Sequence, residues 1–280
     1  MDPAAGISYL MNALEVPRLV FLDLHWHLSE WTPSSTPFLL DALAPRPMPH
    51  LALDVSPGFA EFDVMLHGCN VSLFMTLRSV QFGVPDEDRT DWAFTGLPTV
   101  LPLSGVEESH ILTYQWDTPP GFLSHLATYM PAVSTLLIKY DLISGEEDVD
   151  GHMELARVLS RVLESDSPVL FPRLAHLELV VGTIPLAFCE IIARALARRH
   201  EDGRRLRKLR ICIDHQYASE WMWKWLGRGE PNYKETGIFD HVDTWEISGD
   251  SLNNDADAQR LGWRWWKDCV PHARHEYWQE

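Results

Sequence analysis

One short phrase recurs along this chain: an apolar residue, two variable residues, a second apolar residue, one variable residue, then a third apolar residue. Clear copies begin at Leu19 (with Leu22 and Leu24), Val133 (Leu136, Ile138), Leu174 (Leu177, Leu179), Leu206 (Leu209, Ile211) and Val242 (Trp245, Ile247). Weaker copies begin at Leu77 (Val80, Phe82) and Ser109 (Leu112, Tyr114), and around Leu51 the phrase blurs to the alternation Leu51, Leu53, Val55. The last two apolar positions stand two apart, as one face of a β-strand requires. The first lies three residues earlier, at the turn into that strand. Pro17, Pro49, Pro131 and Pro172 introduce four of the copies. Proline fixes φ and lacks a donor, so it belongs ahead of a strand and not inside one.

Helical spacing separates the phrases. Residues 151–164 place Leu155, Val158, Leu159, Val162 and Leu163 on one helical face. Residues 185–200 open on Pro185, align Ile191, Ile192, Ala195 and Leu196, and stop near Gly203. Shorter candidates cover 37–43, 121–130 and 218–226. The unit of helix, turn and strand recurs roughly every 24 to 41 residues, which is the scale of a solenoid. One such unit cannot bury its own apolar face, but stacked neighbours can. The expected fold is therefore α/β: a leucine-rich-repeat-like solenoid of about seven or eight units with a curved parallel sheet. It is expected over residues 1–252, followed by a Trp-rich C-terminal cap over 253–280. The competing reading is an ordinary α/β domain of leucine-rich strands and helices. The place three residues past the last strand Leu holds His27, Asp141, Gly182, Asp214 and Asp250, so there is no asparagine ladder.

The charge and the cysteines exclude several function classes. A net charge of −17 repels a phosphate backbone, which argues against general nucleic-acid binding. The one dense basic run, 194–210, crosses a helix end, where cations complement the helix dipole. Cys69, Cys189, Cys212 and Cys269 are scattered, fitting neither a zinc knuckle nor a disulfide framework. No signal peptide and no apolar run of roughly 20 residues is visible, so the expectation is a cytoplasmic or nuclear protein with no membrane partner.

The stretches FPRLAHLELVVGTIPLAFCEIIARALARRH, RRLRKLRICID and HVDTWEIS resemble the C-terminal repeat region of fungal F-box proteins, especially the large sets of mushroom-forming fungi. The resemblance covers most of the chain and is strongest over 130–250. It implies that the repeats recruit a protein substrate to an SCF-type ubiquitin ligase. No F-box phrase of the form LPxE followed by an apolar helix stands near the N-terminus. The box is expected either to have been lost or to lie upstream. Adaptor binding therefore does not carry over, and the recruitment half does.

Candidate chemistry is thin. His25-x-His27 presents two ligands on one strand face without a third at sensible spacing, so a surface contact is the plainer reading. His272 and His275 lack a helical HExxH setting, and the acidic loop 145–150 lacks calcium-loop spacing. Asp214-His215 and Asp240-His241 join neighbours that do not face each other in regular structure. No nucleophile, base and acid converge, so the expectation is a non-enzymatic chain with no cofactor and no metal.

If the phrase sets the strand phase, the residues between its apolar positions face away from the core. These are Asp23, His25, Thr135, Lys139, His176, Glu178, Lys208, Arg210, Glu246 and Ser248, a mixed polar strip on the expected concave side. Such a strip suits a protein surface better than a small apolar ligand. Trp223 and Trp263 are further candidate contacts, while Trp221 and Trp225 share a helical face suited to packing. The alternatives from other classes are a hydrolase built on scattered Asp, Glu and His, and a degenerate repeat domain without a partner.

Overall fold

The computed structural model describes residues 21–27, 49–56, 61–67, 72–78, 103–113, 121–140, 149–181, 185–213 and 236–248. Among the described residues, nine strands form one sheet: β1 (Phe21–His27), β2 (His50–Ser56), β3 (Glu61–His67), β4 (Ser72–Arg78), β5 (Glu108–Thr113), β6 (Thr135–Tyr140), β7 (His176–Val181), β8 (Leu206–Ile213) and β9 (Val242–Ser248). Three described α-helices alternate with the later strands: α1 (Phe122–Tyr129), α2 (Val149–Leu163) and α3 (Leu186–Glu201). The order across the sheet is β1-β4-β3-β2-β5-β6-β7-β8-β9.

From β5 to β9 the strands follow chain order and every pair is parallel, and β2 joins β5 in parallel as well. Parallel neighbours need a crossover connection, and α1, α2 and α3 lie in the connections between β5 and β8. The registers align the recurrent phrase. Leu51, Ser109, Leu136, Leu177, Leu209 and Trp245 form one cross-strand column. Leu53, Ile111, Ile138, Leu179, Ile211 and Ile247 form the next. Their buried apolar members share a single core with Phe122, Leu126, Leu155, Leu159, Phe188, Ile192 and Leu196 of the helices. The periodically placed leucines do pack side by side.

The turn into each strand repeats as well. Val106, Val133 and Leu174 donate their N–H groups to the carbonyls of Leu103, Met130 and Phe171, three residues back, and all six side chains are buried. One carbonyl on each strand entry then takes two N–H groups from the next. Pro49 accepts from Glu107 and Glu108, Glu107 from Ser134 and Thr135, Ser134 from Ala175 and His176, and Ala175 from Arg207 and Lys208. The full phrase is therefore one apolar position longer than the sequence suggests, running Met130, Val133, Leu136, Ile138 and Phe171, Leu174, Leu177, Leu179.

Three expectations need correction. The weak copy at Ser109 is out of phase: the true copy is Val106, Ser109, Ile111, disguised because a serine holds the leucine position. Leu77, expected at the turn into a strand, lies within β4 (Ser72–Arg78), and the Val80 and Phe82 of that weak copy lie outside the described residues. The N-terminal part is also not a parallel array. β3 runs antiparallel to both its neighbours, β2 and β4, and β1 joins β4 in parallel at the sheet's far end. The links 57–60 and 68–71 are too short for a crossover helix, which leaves antiparallel pairing. β3, EFDVMLH, was not anticipated at all.

Helix ends follow local rules. Pro185 stands at the N-cap of α3 with φ −60°, and Gly203 ends it at φ +73°, a left-handed value that glycine adopts without a Cβ clash. There Gly203 donates to the carbonyl of His200 and Arg204 to that of Arg199. The helix candidates at 37–43 and 218–226, and the cap at 253–280, lie outside the described residues.

Candidate functional site

The face of the sheet opposite the helical core carries the alternate residues of each strand, and the registers sort them into three rows. The first is Glu108, Thr135, His176, Lys208 and Thr244; the second is His110, Leu137, Glu178, Arg210 and Glu246; the third is Leu112, Lys139, Val180, Cys212 and Ser248. Every expected strip residue from β6 to β9 falls in one of these rows. Through β4, β3 and β2, Asp23 falls in the second row and His25 in the third. Between Asp23 and His110 that second row runs through Phe74, Met65 and Ala52, so the strip is not polar throughout. Trp223 and Trp263 lie outside the described residues.

Exposure varies across the face. His176, Lys208, Thr244 and Glu246 are exposed, and Thr135, Lys139 and Glu178 are half-buried. Leu137, Val180 and Cys212 are buried in a small apolar cluster of their own. The open part of the face is thus the β7–β9 part of the first row and the β9 end of the second.

The charges neutralise one another. Arg210 Nη1 donates to Glu178 Oε1 at 2.8 Å, and its Nε lies 3.5 Å from Glu246 Oε1 without a hydrogen bond. Lys208 Nζ reaches Glu246 Oε2 at 3.4 Å. Cys212 Sγ lies 3.8 Å from Glu178 Oε1 as a weak donor, and His110 Nε2 meets Glu108 Oε1 at 2.6 Å. Burial raises the Glu178 carboxyl above its ordinary value, and the Arg210 charge offsets this only in part. Burial alone lowers Arg210, but Glu178, Cys212 and Glu246 outweigh it and raise the guanidinium above its ordinary value. Arg210, with only 12% of its side chain exposed, is therefore a buttress of the face and not a free contact. Lys208, at 46%, is available to a partner.

The sequence held an unread signal for this ladder. Glu178, Arg210 and Glu246 each follow the middle apolar residue of their phrase, and their signs alternate from strand to strand. Opposite charges directly across neighbouring strands stabilise the pairing.

The basic run 194–210 is largely tied down. Arg198 and Arg204 reach Asp166 and Asp202, and Arg205 pairs with Asp243. The hydrogen bond from Arg204 holds the Asp202 carboxyl below its ordinary value. Arg199 is buried in the core, where its Nη2 donates to the carbonyls of Phe171 at 2.9 Å and Leu174 at 3.2 Å. It anchors the turn in which Phe171 takes φ +44°, a conformation unfavourable for a bulky residue. Burial, and then Arg204, bring the Arg199 guanidinium down to about 10.

Among the described residues no group of three or more His, Cys, Asp and Glu is placed to hold a metal ion, and no helix is long and apolar enough to cross a membrane. No protein-family model, curated protein or solved structure matches this chain.

Proposed function

We propose that this chain is a non-enzymatic protein-binding domain, an irregular leucine-rich-repeat-like solenoid whose curved sheet is parallel from β5 to β9. Its role in this reading is to hold a substrate for a ubiquitin ligase, as the repeat region of an F-box protein does. The observation that carries the reading is the repetition of one strand-entry device through β2, β5, β6, β7 and β8 with a common register. Such repetition projects equivalent residues from successive strands at intervals of roughly 4.8 Å. It builds a broad face whose open row, His176, Lys208 and Thr244, mixes donors, acceptors and charge. A broad polar strip matches the surface of another protein better than a small ligand.

The test is affinity purification from the source cell with the parent chain and with Lys208→Glu. Lys208 and Glu246 form an exposed pair, worth at most about 1 kcal/mol, so losing the pair lowers the melting temperature by no more than roughly 2–4 °C. The parent is expected to retain a protein that the variant loses, with ubiquitin-ligase subunits in the same fraction. An identical set on both refutes the reading.

A further inference from the structure

His200 and His241 come from different units of the fold and meet at one edge. His200 lies in the last turn of α3, and His241 stands immediately before β9. Both are half-buried, their rings meet edge to face at 61°, and their Nδ1 atoms lie 3.4 Å apart.

That separation is long for a hydrogen bond between ring nitrogens. It matches a different geometry. Two imidazole nitrogens bound to one tetrahedral zinc at about 2.0–2.1 Å stand roughly 3.3–3.4 Å from each other. The surroundings favour a cation: the C-terminal end of a helix is electronegative, and the chain carries a net charge of −17. Glu201 and Asp202 follow His200 directly, and Asp240 and Asp243 flank His241. Of the nearby cations, Arg198 and Arg204 are paired with Asp166 and Asp202 and Arg205 with Asp243, while the buried Arg199 donates to the carbonyls of Phe171 and Leu174.

We propose that His200 and His241 form a two-imidazole site for a borderline divalent transition metal of the zinc class, with water completing the coordination. Imidazole is a preferred ligand of such ions. Two protein ligands leave the site open, unlike a closed four-ligand structural centre. A bound ion clips the end of α3 to the entry of β9, the edge strand that pairs with β8 alone among the described residues. This inference stands independently of the partner-binding reading.

The experiment titrates Zn2+ into the full chain by calorimetry, with His200→Gln and His241→Gln alongside. The parent is expected to bind one equivalent saturably, and zinc raises its Tm, because a ligand bound only by the folded state stabilises it. Loss of an outer partner of a ligand already costs 10–100-fold in affinity, so each substitution should weaken binding by at least about tenfold. Zinc-edge X-ray absorption on the parent decides the matter even if a variant folds poorly, and should show two imidazole nitrogens at about 2.0–2.1 Å. Absence of saturable binding, unchanged affinity in both variants, or three or more imidazoles around the ion overturns the proposal. The last two results would move the zinc to other histidines, such as His25 and His27 or His272 and His275.

Discussion

Ser109 sits in the column of Leu51, Leu136, Leu177, Leu209 and Trp245, fully buried, and its hydroxyl has no hydrogen-bond partner. A buried hydroxyl without a partner costs roughly 1–3 kcal/mol by protein mutational data. Ser109→Ala removes that cost and leaves a void about the size of one oxygen, which returns a fraction of the gain. The net expectation is about 1 kcal/mol of added stability. For a domain of this size that is a rise in Tm of roughly 2–4 °C. Thermal unfolding followed by circular dichroism at pH 7 reads it directly, and denaturant unfolding gives the same sign with an unchanged m-value. In the same column Leu177→Asp has the opposite effect, several kcal/mol of destabilisation, because it buries an unpaired charge. A drop in Tm for Ser109→Ala refutes the reasoning, since it means that the hydroxyl is satisfied and β5 is not in phase with its neighbours.

The Glu178–Arg210 pair gives an asymmetric result. Arg210→Ala leaves the half-buried Glu178 carboxylate without its partner and lowers stability at pH 7 by about 1–3 kcal/mol. Glu178→Gln is milder and has a pH signature. With its folded value raised, Glu178 favours the fold most below its ordinary 4.5 and loses that contribution as pH rises through the folded value. The Tm of Glu178→Gln relative to the parent should therefore increase from pH 4.5 to pH 7; a decrease contradicts the burial of the carboxyl. Cys189 is buried in α3 and burial pushes its thiol up to about 12, so it should resist alkylation at pH 8 until the chain unfolds. Rapid labelling of Cys189 in native buffer, read by peptide mass spectrometry, refutes its place in the core.

The sequence was most legible where one face of a strand is apolar and the connection is long. In β6, β7 and β8 the phrase marks both the strand and its buried face, because a fault in phase would turn leucines to water. At β5 the same logic failed at a single residue, since a buried serine is indistinguishable from a surface serine until its neighbours are known. The alternation Leu51, Leu53, Val55 marked β2, but β3 and its antiparallel pairing with β2 and β4 were missed. Phe59, Phe62 and Val64 carry the phrase at β3, but the phrase marks a strand without setting its direction. The turn-forming Gly58, Gly68 and Asn70 in the short links were the available signal. For the outward face, the phase placed Thr135, His176 and Lys208 correctly. It could not tell an exposed cation from a buried one, so Arg210 needed the register against Glu178. The meeting of His200 with His241, 41 positions apart, has no sequence signature.

The doubly accepting carbonyl at each strand entry frees the intervening chain. Glu107, Ser134 and Ala175 fix where the next strand begins, although the distances between them along the chain are 27 and 41 residues. The loop-closure cost of that difference is only about 0.4 kcal/mol. Insertions between one entry and the next are thus nearly free of thermodynamic penalty, while a single residue added between Val133 and Leu136 would throw a whole strand out of step. A lineage built on this scaffold can vary its crossovers widely, and it has little latitude in the few residues that lead into each strand.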